Sequence, residues 1–72
     1  MDTTVNAIAQ DLGRGVTWIA ADNGLYCYKN GMFITNELTK ICQGIRLRHV
    51  SIAKDGSVLI SAYEKLGQIK YT

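Results

Sequence analysis

Apolar and polar residues alternate along several short runs of this chain, and glycine-containing turns separate the runs. Between residues 5 and 35 the runs cover 5–10, 16–21, 25–28 and 32–35, and they are rich in the β-branched and aromatic residues that strands favour. Short strands joined by tight turns pair with their neighbours in sequence. We therefore predict an all-β fold, an antiparallel meander.

The two-residue side-chain period of a strand assigns these residues to faces. The run 16–21 is apolar or small on both faces, which is expected for a strand in the middle of a sheet. In the next run Leu25 and Cys27 share one face, while Tyr26 and Tyr28 share the other. The paired tyrosines could stack on a ligand or partner, or stabilise cross-strand neighbours instead.

Asn-Gly and Asp-Gly steps mark the tightest turns. Asn23-Gly24 and Asn30-Gly31 are each consistent with a turn whose two central residues have positive φ, and Asp55-Gly56 offers a third tight turn. These signals predict that residues 5–35 form one blade-like unit of four strands.

The pattern changes between residues 36 and 45, where Leu38, Ile41 and Cys42 fall at helical spacing. Asn36 suits a helix N-cap and Gly44 suits the C′ position, so we predict a short helix near 37–43, with an irregular loop as the alternative. Strand character resumes at 48–53, 57–63 and 68–71, which makes 46–72 a second, partial unit of the same kind.

Length and charge limit the classes of protein and partner. The chain has 72 residues, 47% of them hydrophobic and 19% charged, which favours one folded domain or a piece of one. Its net charge of +2 is too small to indicate a nucleic-acid partner, and its apolar runs are too short for membrane insertion. Residues 1–4 lack the features of a secretory signal.

The chemistry-bearing residues do not form a recognisable catalytic or metal motif. Cys27 and Cys42 are predicted to be buried thiols, with a disulfide as the less favoured alternative. His49 has no other His, Asp or Cys near it in sequence, so no metal site is indicated there. Phosphate-binding and hydrolase signatures are also missing. We therefore expect a non-catalytic protein without metal or cofactor.

The two halves of the chain resemble each other: the sequence pairs Ile8 with Ile52, Trp18 with Leu59, Gly24 with Gly67 and Tyr28 with Tyr71. The first half also resembles a known family. The stretches 5–11 and 15–28 resemble the two-component regulator propeller repeat, a strand closing on Asp followed by a Trp-containing strand and an Asn-Gly-Leu turn. Ala20 and Ala21 replace the usual Gly and Thr, and Leu59 stands where the second copy would have Trp. The residues that match as they stand are Trp18, Asn23, Gly24, Leu25 and Tyr28.

The resemblance implies about one and three-quarter repeats of a β-propeller, each repeat a four-stranded blade packed against its neighbours. It also implies the sensor part of a bacterial signalling receptor, periplasmic or extracellular, that responds to ligands such as carbohydrates. If the propeller resemblance does not hold, a cytoplasmic location is expected.

Seventy-two residues cannot close a ring of blades of about 40–45 residues each. Three interpretations follow: a segment of a larger propeller, several copies assembled into one, or a small independent β-sheet domain. In the first two interpretations, further sequence or other copies are expected to cover the apolar sheet faces, whereas the third predicts a compact monomer.

Two functions are compatible with these patterns. The first is a binding or sensing module that presents loops to a small ligand or protein; the second is a stand-alone interaction protein, an inhibitor or adaptor, that acts as a homo-oligomer. Trp18 is expected to pack in a core rather than to stack on a ligand. The candidate ligand- or partner-binding residues are Trp18, Asp22, Asn23, Tyr26, Tyr28, Arg46 and Arg48.

Overall fold

A computed structural model describes residues 2–64 and 68–72 of the chain. Gly67, which the sequence pairs with Gly24 as the equivalent turn glycine, lies outside the described residues. The fold is all-β apart from one short helix, as predicted. It has a four-stranded sheet in the order β1-β2-β3-β4 and a three-stranded sheet in the order β5-β6-β7, every neighbouring pair antiparallel.

The strand and helix bounds follow the predicted runs closely. They are β1 (Val5–Asp11), β2 (Val16–Ala21), β3 (Gly24–Lys29), β4 (Met32–Ile34), α1 (Glu37–Ile41), β5 (Leu47–Ile52), β6 (Val58–Ala62) and β7 (Gln68–Tyr71). β2 lies between β1 and β3, which confirms the mid-sheet position that its apolar residues predict.

One predicted turn is confirmed and another is wrong in its geometry. Asn30 and Gly31 have φ values of 49° and 81°, so both central residues of the β3–β4 turn are left-handed. In the β2–β3 turn the last strand pair is Ala21 with Gly24, so the central residues are Asp22 and Asn23 rather than Asn23 and Gly24. Only Gly24 has positive φ there, at 143°.

Helix α1 begins as predicted and ends early. The Asn36 side chain accepts a hydrogen bond from the Thr39 amide, and the Thr39 hydroxyl accepts one from the Asn36 amide, a reciprocal capping box. The helix stops at Ile41 with Cys42 as its C-cap, so the predicted extension to 43 is wrong. Leu38 and Cys42 enter the core from this segment.

The two sheets share one hydrophobic core. The first inner face, that of the four-stranded sheet, places small residues on β1 and large ones on β2; its members are Ala7, Ala9, Asp11, Val16, Trp18, Ala20, Leu25, Cys27 and Ile34. The second inner face consists of Leu47, Val50, Ile52, Val58, Ile60, Ala62, Ile69 and Tyr71. The alanines of β1 let β5 approach closely, and β1 and β5 are in contact where the sheets meet.

The strand ladders show that the two sheets are equivalent to each other. Each first pair of strands has a register shift at the same place, between Val5 and Ala7 in β1 and between Leu47 and His49 in β5. Aligning these bulges makes Ile8 the equivalent of Val50.

The same alignment carries through the remaining strands. Trp18 then corresponds to Leu59 and Tyr28 to Tyr71, as the sequence comparison predicts. Pairing Ile8 with Ile52, which the sequence alone suggests, is wrong by two residues because the bulges fix the register.

A buried carboxylate joins the two sheets at the end opposite the β2–β3 turn. Asp11 is 2% exposed and accepts hydrogen bonds from Trp18 Nε1 at 2.9 Å and from Arg14 Nη1 at 2.8 Å. The same Arg14 nitrogen donates to the Gly56 carbonyl oxygen at 2.7 Å, in the turn between β5 and β6. This network ties the β1–β2 turn of one sheet to a turn of the other.

Alanine at Gly24 is expected to destabilise the fold more than alanine at Gly31. A Cβ at Gly24 would lie 3.2 Å from the Cys42 carbonyl oxygen, whereas nothing lies within 4 Å of a Cβ at Gly31. Gly31→Ala should therefore cost only its backbone strain, about 1 kcal/mol, and Gly24→Ala about 2–3 kcal/mol. Urea denaturation followed by Trp18 fluorescence measures both; equal losses would contradict the close packing of the segment after α1 on this turn.

Candidate functional site

Three of the seven predicted site residues, Asp22, Asn23 and Arg46, meet at one end of the two sheets, which we call the rim. The rim comprises the β2–β3 turn (Asp22 and Asn23), the segment 43–46 before β5, and Tyr63 after β6. The Gly44 amide donates to the Asn23 carbonyl oxygen at 3.0 Å, and the Tyr63 amide donates to the Arg46 carbonyl oxygen at 3.1 Å. Backbone hydrogen bonds therefore hold the loops of both sheets together here.

Asp22 connects the polar side chains of the rim through its hydrogen bonds. Its Oδ1 accepts from Asn6 Nδ2 at 2.8 Å and from Arg46 Nε at 3.1 Å, and Asn6 Nδ2 also donates to the Leu47 carbonyl oxygen. The hydrogen bonds from Asn6 and Arg46 lower the pKa of the Asp22 carboxyl. Asp22 is thus a structural anion that links the first sheet to the start of β5.

An aromatic ring accompanies the basic residues of the rim. The Arg46 guanidinium carbon lies 4.3 Å from the centre of the Tyr63 ring, and that of Arg48 lies 6.0 Å from it. The Arg46 distance is that of a close cation–π contact, and the Arg48 distance is at the outer limit of one. Within residues 2–64 and 68–72 Arg46 is paired with Asp22, while Arg48 forms no salt bridge, so Arg48 carries the free positive charge of this group.

A cleft opens beside the rim where strand pairing ends. β4 pairs with β3 only at residues 27–29, and the chain then leaves the sheet to form α1. The first half of β3 has no strand partner on that side among the described residues, and the space between it and α1 has a volume of about 430 Å³. Its lining residues are Asn23, Gly24, Leu25, Tyr26, Phe33, Ile34, Thr35, Thr39, Lys40 and Gln43.

The cleft combines aromatic and hydrogen-bonding groups. The Tyr26 hydroxyl donates to Asn23 Oδ1 at 2.9 Å, and the Tyr26 and Phe33 rings meet edge to face with centroids 6.0 Å apart. Amide and hydroxyl groups come from Asn23, Thr39 and Gln43. Among the described residues that line the cleft, Lys40 is the one fully charged side chain.

The structure places the predicted site residues at the rim, in the cleft or outside both. Asp22, Asn23, Arg46 and Arg48 lie at or next to the rim, and Asn23 and Tyr26 line the cleft. Tyr28 shares a strand face with Tyr26 but lies outside the cleft, half exposed against Phe33 with ring centroids 5.2 Å apart.

Trp18 belongs to neither place. Its side chain is 2% exposed, so the alternative of a ligand platform is wrong and the predicted packing role is confirmed.

Sequence reasoning missed several residues of the site. Asn6, Tyr63 and Phe33 lie on other strands or loops and meet the predicted residues only after the sheets fold. Lys40 and Gln43 lie within the predicted helix, but the sequence does not indicate which strand that helix faces.

In the part of the chain that the structure describes, the cysteines and the other metal-ligating residue types do not gather into a further centre. Cys27 and Cys42 are free buried thiols, as predicted, and burial raises the pKa of each. Across residues 2–64 and 68–72 no three His, Cys, Asp or Glu side chains are grouped to hold a metal ion. None of the described helices has the length and apolar character to cross a bilayer.

The chain matches no protein-family model, no curated protein and no solved structure.

Proposed function

We propose that the protein is a non-catalytic binding or sensing module, a propeller-like segment of a bacterial signalling receptor that presents its rim and cleft to a small ligand. The observation that supports this most is the cleft itself, which brings two aromatic rings and several hydrogen-bonding side chains to an unpaired stretch of strand. Its volume of about 430 Å³ lies within the range of small-molecule sites, about 300–1,000 Å³.

The side chains of the cleft favour a carbohydrate. A sugar ring has an apolar C–H face that stacks on aromatic rings, and hydroxyl groups that bond to amide, hydroxyl and ammonium groups. Tyr26 and Phe33 offer the rings, and Asn23, Thr39 and Lys40 offer the polar groups. No carboxylate stands among the described lining residues to serve with Lys40 as an acid–base pair, which favours binding over catalysis.

Titration with sugars tests this function. ¹⁵N-labelled protein would be titrated with N-acetylglucosamine, maltose, lactose and cellobiose while amide chemical shifts are recorded. We expect at least one sugar to shift the amides of residues 23–26, 33–35 and 39–43, and to leave those of β6 and β7 in place. Tyr26→Ala should weaken that binding at least about tenfold, a loss of about 1.4 kcal/mol.

Tyr28→Ala is the matched control, since Tyr28 lies on the same strand and face but outside the cleft. The Tyr28→Ala variant should bind the sugar with an affinity within about twofold of that of the parent protein. Equal losses for the two tyrosine variants, or no response to any of the sugars, would reject a carbohydrate site in the cleft.

The second candidate function, a self-associating interaction protein, is favoured by a different feature. One face of the four-stranded sheet is apolar and half exposed, with Val5, Ile8, Tyr28 and Phe33 among its residues. A surface of this kind is typical of an interaction site.

A further inference from the structure

The four-stranded sheet has an uncovered apolar face opposite its inner face. We call it the first outer face; the strand positions on it that are at least partly exposed are Val5, Ile8, Gln10, Thr17, Ile19, Tyr26, Tyr28 and Phe33. Ile8 is 62% exposed, Phe33 51% and Val5 42%. None of these eight residues is charged at neutral pH.

The same face is buried in the other sheet. By the equivalence of the ladders, Ile8 corresponds to Val50 and Ile19 to Ile60, and both Val50 and Ile60 are buried in the core. The second sheet therefore turns its equivalent of the first outer face towards the first inner face. The two sheets stack front to back: both have the same orientation, and unlike faces meet between them. Such a stack leaves the first outer face free at one end and the second sheet's equivalent of the first inner face free at the other.

The opposite end of the stack carries the second outer face, formed by His49, Ser51, Leu59, Ser61, Gln68 and Lys70. Inside the molecule, Ala9, Trp18 and Ala20 lie at the centre of the face that covers the second sheet.

The equivalents of these three covering residues are Ser51, Leu59 and Ser61. The second outer face thus repeats, at its centre, the order of a small, a large apolar and a small side chain. Lys70 at its border has a stem long enough to keep its ammonium group in water.

We propose that a second copy of the chain docks front to back, with its second outer face on the first outer face of its neighbour. This continues the packing that already joins the two sheets within one copy. Because different faces meet, the contact is heterologous, and repeated contacts close a ring or extend a filament.

The size of the faces predicts a weak contact. The second outer face limits the contact, because it spans three strands about 4.8 Å apart and four to six residues long, roughly 14 Å by 17 Å. The two faces together then bury roughly 500 Å², below the roughly 1,000 Å² of a stable specific interface, so the assembly should be weak and depend on concentration. This proposal does not rest on ligand binding, since neither Ile8 nor Leu59 lines the cleft.

Complementary variants test the proposal by sedimentation velocity between about 10 µM and 1 mM. The parent chain should rise above its 8.0 kDa monomer mass with concentration. Ile8→Arg blocks the first outer face and Leu59→Arg blocks the second, so each variant alone should remain a monomer. Mixed in equal amounts, they should form a one-to-one dimer, because one partner keeps each face intact.

Leu12→Arg is the matched control, since Leu12 is 84% exposed in the β1–β2 turn and belongs to neither face. It should assemble as the parent chain does. Far-UV circular dichroism checks that each variant is folded, and Tyr28→Arg with Ser61→Arg repeats the test at second positions on the two faces.

Three results would overturn the proposal. A parent chain that stays monomeric at 1 mM would show that its own second outer face is not the partner. Loss of assembly in Ile8→Arg together with its retention in Leu59→Arg would show that first outer faces pair with each other. Two variants that fail to combine in the mixture would exclude a heterologous contact.

Discussion

Replacing Trp18 with alanine is expected to lower the free energy of unfolding by about 3–5 kcal/mol. Trp18 is 2% exposed in the middle of β2 and belongs to the core that both sheets share. Alanine would remove the largest buried side chain and would leave Asp11 without its indole donor. Urea denaturation followed by far-UV circular dichroism measures the loss without needing tryptophan fluorescence.

Two control variants separate burial from the hydrogen bond. Trp18→Phe keeps most of the apolar volume but loses the Nε1 donor to Asp11, so its loss should be clearly smaller than that of Trp18→Ala. Phe33→Ala removes an aromatic ring that is 51% exposed and should cost less than about 1 kcal/mol. A Trp18→Ala loss as small as that of Phe33→Ala would contradict the shared core.

Replacing Asp11 with alanine is expected to cost about 3 kcal/mol, the second largest effect. The carboxylate is buried and accepts hydrogen bonds from the Trp18 indole, the Arg14 guanidinium and the Arg14 amide. Removing it leaves these donors without their partner, which costs more than the bonds themselves contribute. Thermal or urea denaturation at neutral pH measures the change.

The same carboxylate predicts a dependence of stability on pH. Burial alone would raise the pKa of Asp11, but the hydrogen bonds from Trp18 and Arg14 outweigh it and hold the pKa below its usual value of 3.8. A pKa that is lower in the folded than in the unfolded state stabilises the fold above the unfolded pKa, and this stabilisation is lost as the pH falls through the folded pKa. Stability should therefore decline below about pH 4.

Asp11→Asn should flatten this decline, since asparagine does not titrate. Asp55→Asn is the control: the pKa of Asp55 is also lowered, chiefly by Ser57, whose amide donates to Asp55 Oδ1 at 2.9 Å. Its side chain is 58% exposed, so solvent screens its interactions. The Asp55 variant should follow the parent protein more closely in acid. An unchanged acid profile in Asp11→Asn would exclude the buried carboxylate as its source.

Local patterns along the chain predict the strands, because each depends on a few neighbouring residues. Alternation and the Asn30-Gly31 turn locate β3 and β4, and the Asn36 cap locates the start of α1. The predicted geometry of the β2–β3 turn is wrong because the Asn23-Gly24 step is compatible with two strand registers. In one, Asn23 and Gly24 are the central residues of the turn; in the other, Gly24 is the first residue of β3. The strand pairing of Ala21 with Gly24 selects the register in which Asp22 and Asn23 are central.

The packing of one sheet on the other could not be predicted in the same way. It depends on contacts between residues far apart in sequence, such as Arg14 with Gly56 and Asn6 with Leu47. The candidate site shares this limit, because Asp22 meets Arg46 only when β5 docks beside β1. The sequence thus identifies individual site residues but not which of them meet.

The central claim is that both sheets form one cooperative core, and that this core holds the rim together. Native-state hydrogen exchange measures it directly. The claim predicts that the slowest amides of β2, β3, β5 and β6 exchange with the same opening free energy, equal to that of global unfolding. A clearly lower opening free energy for β5 and β6 than for β2 and β3 would contradict it, because the sheets would then separate without unfolding.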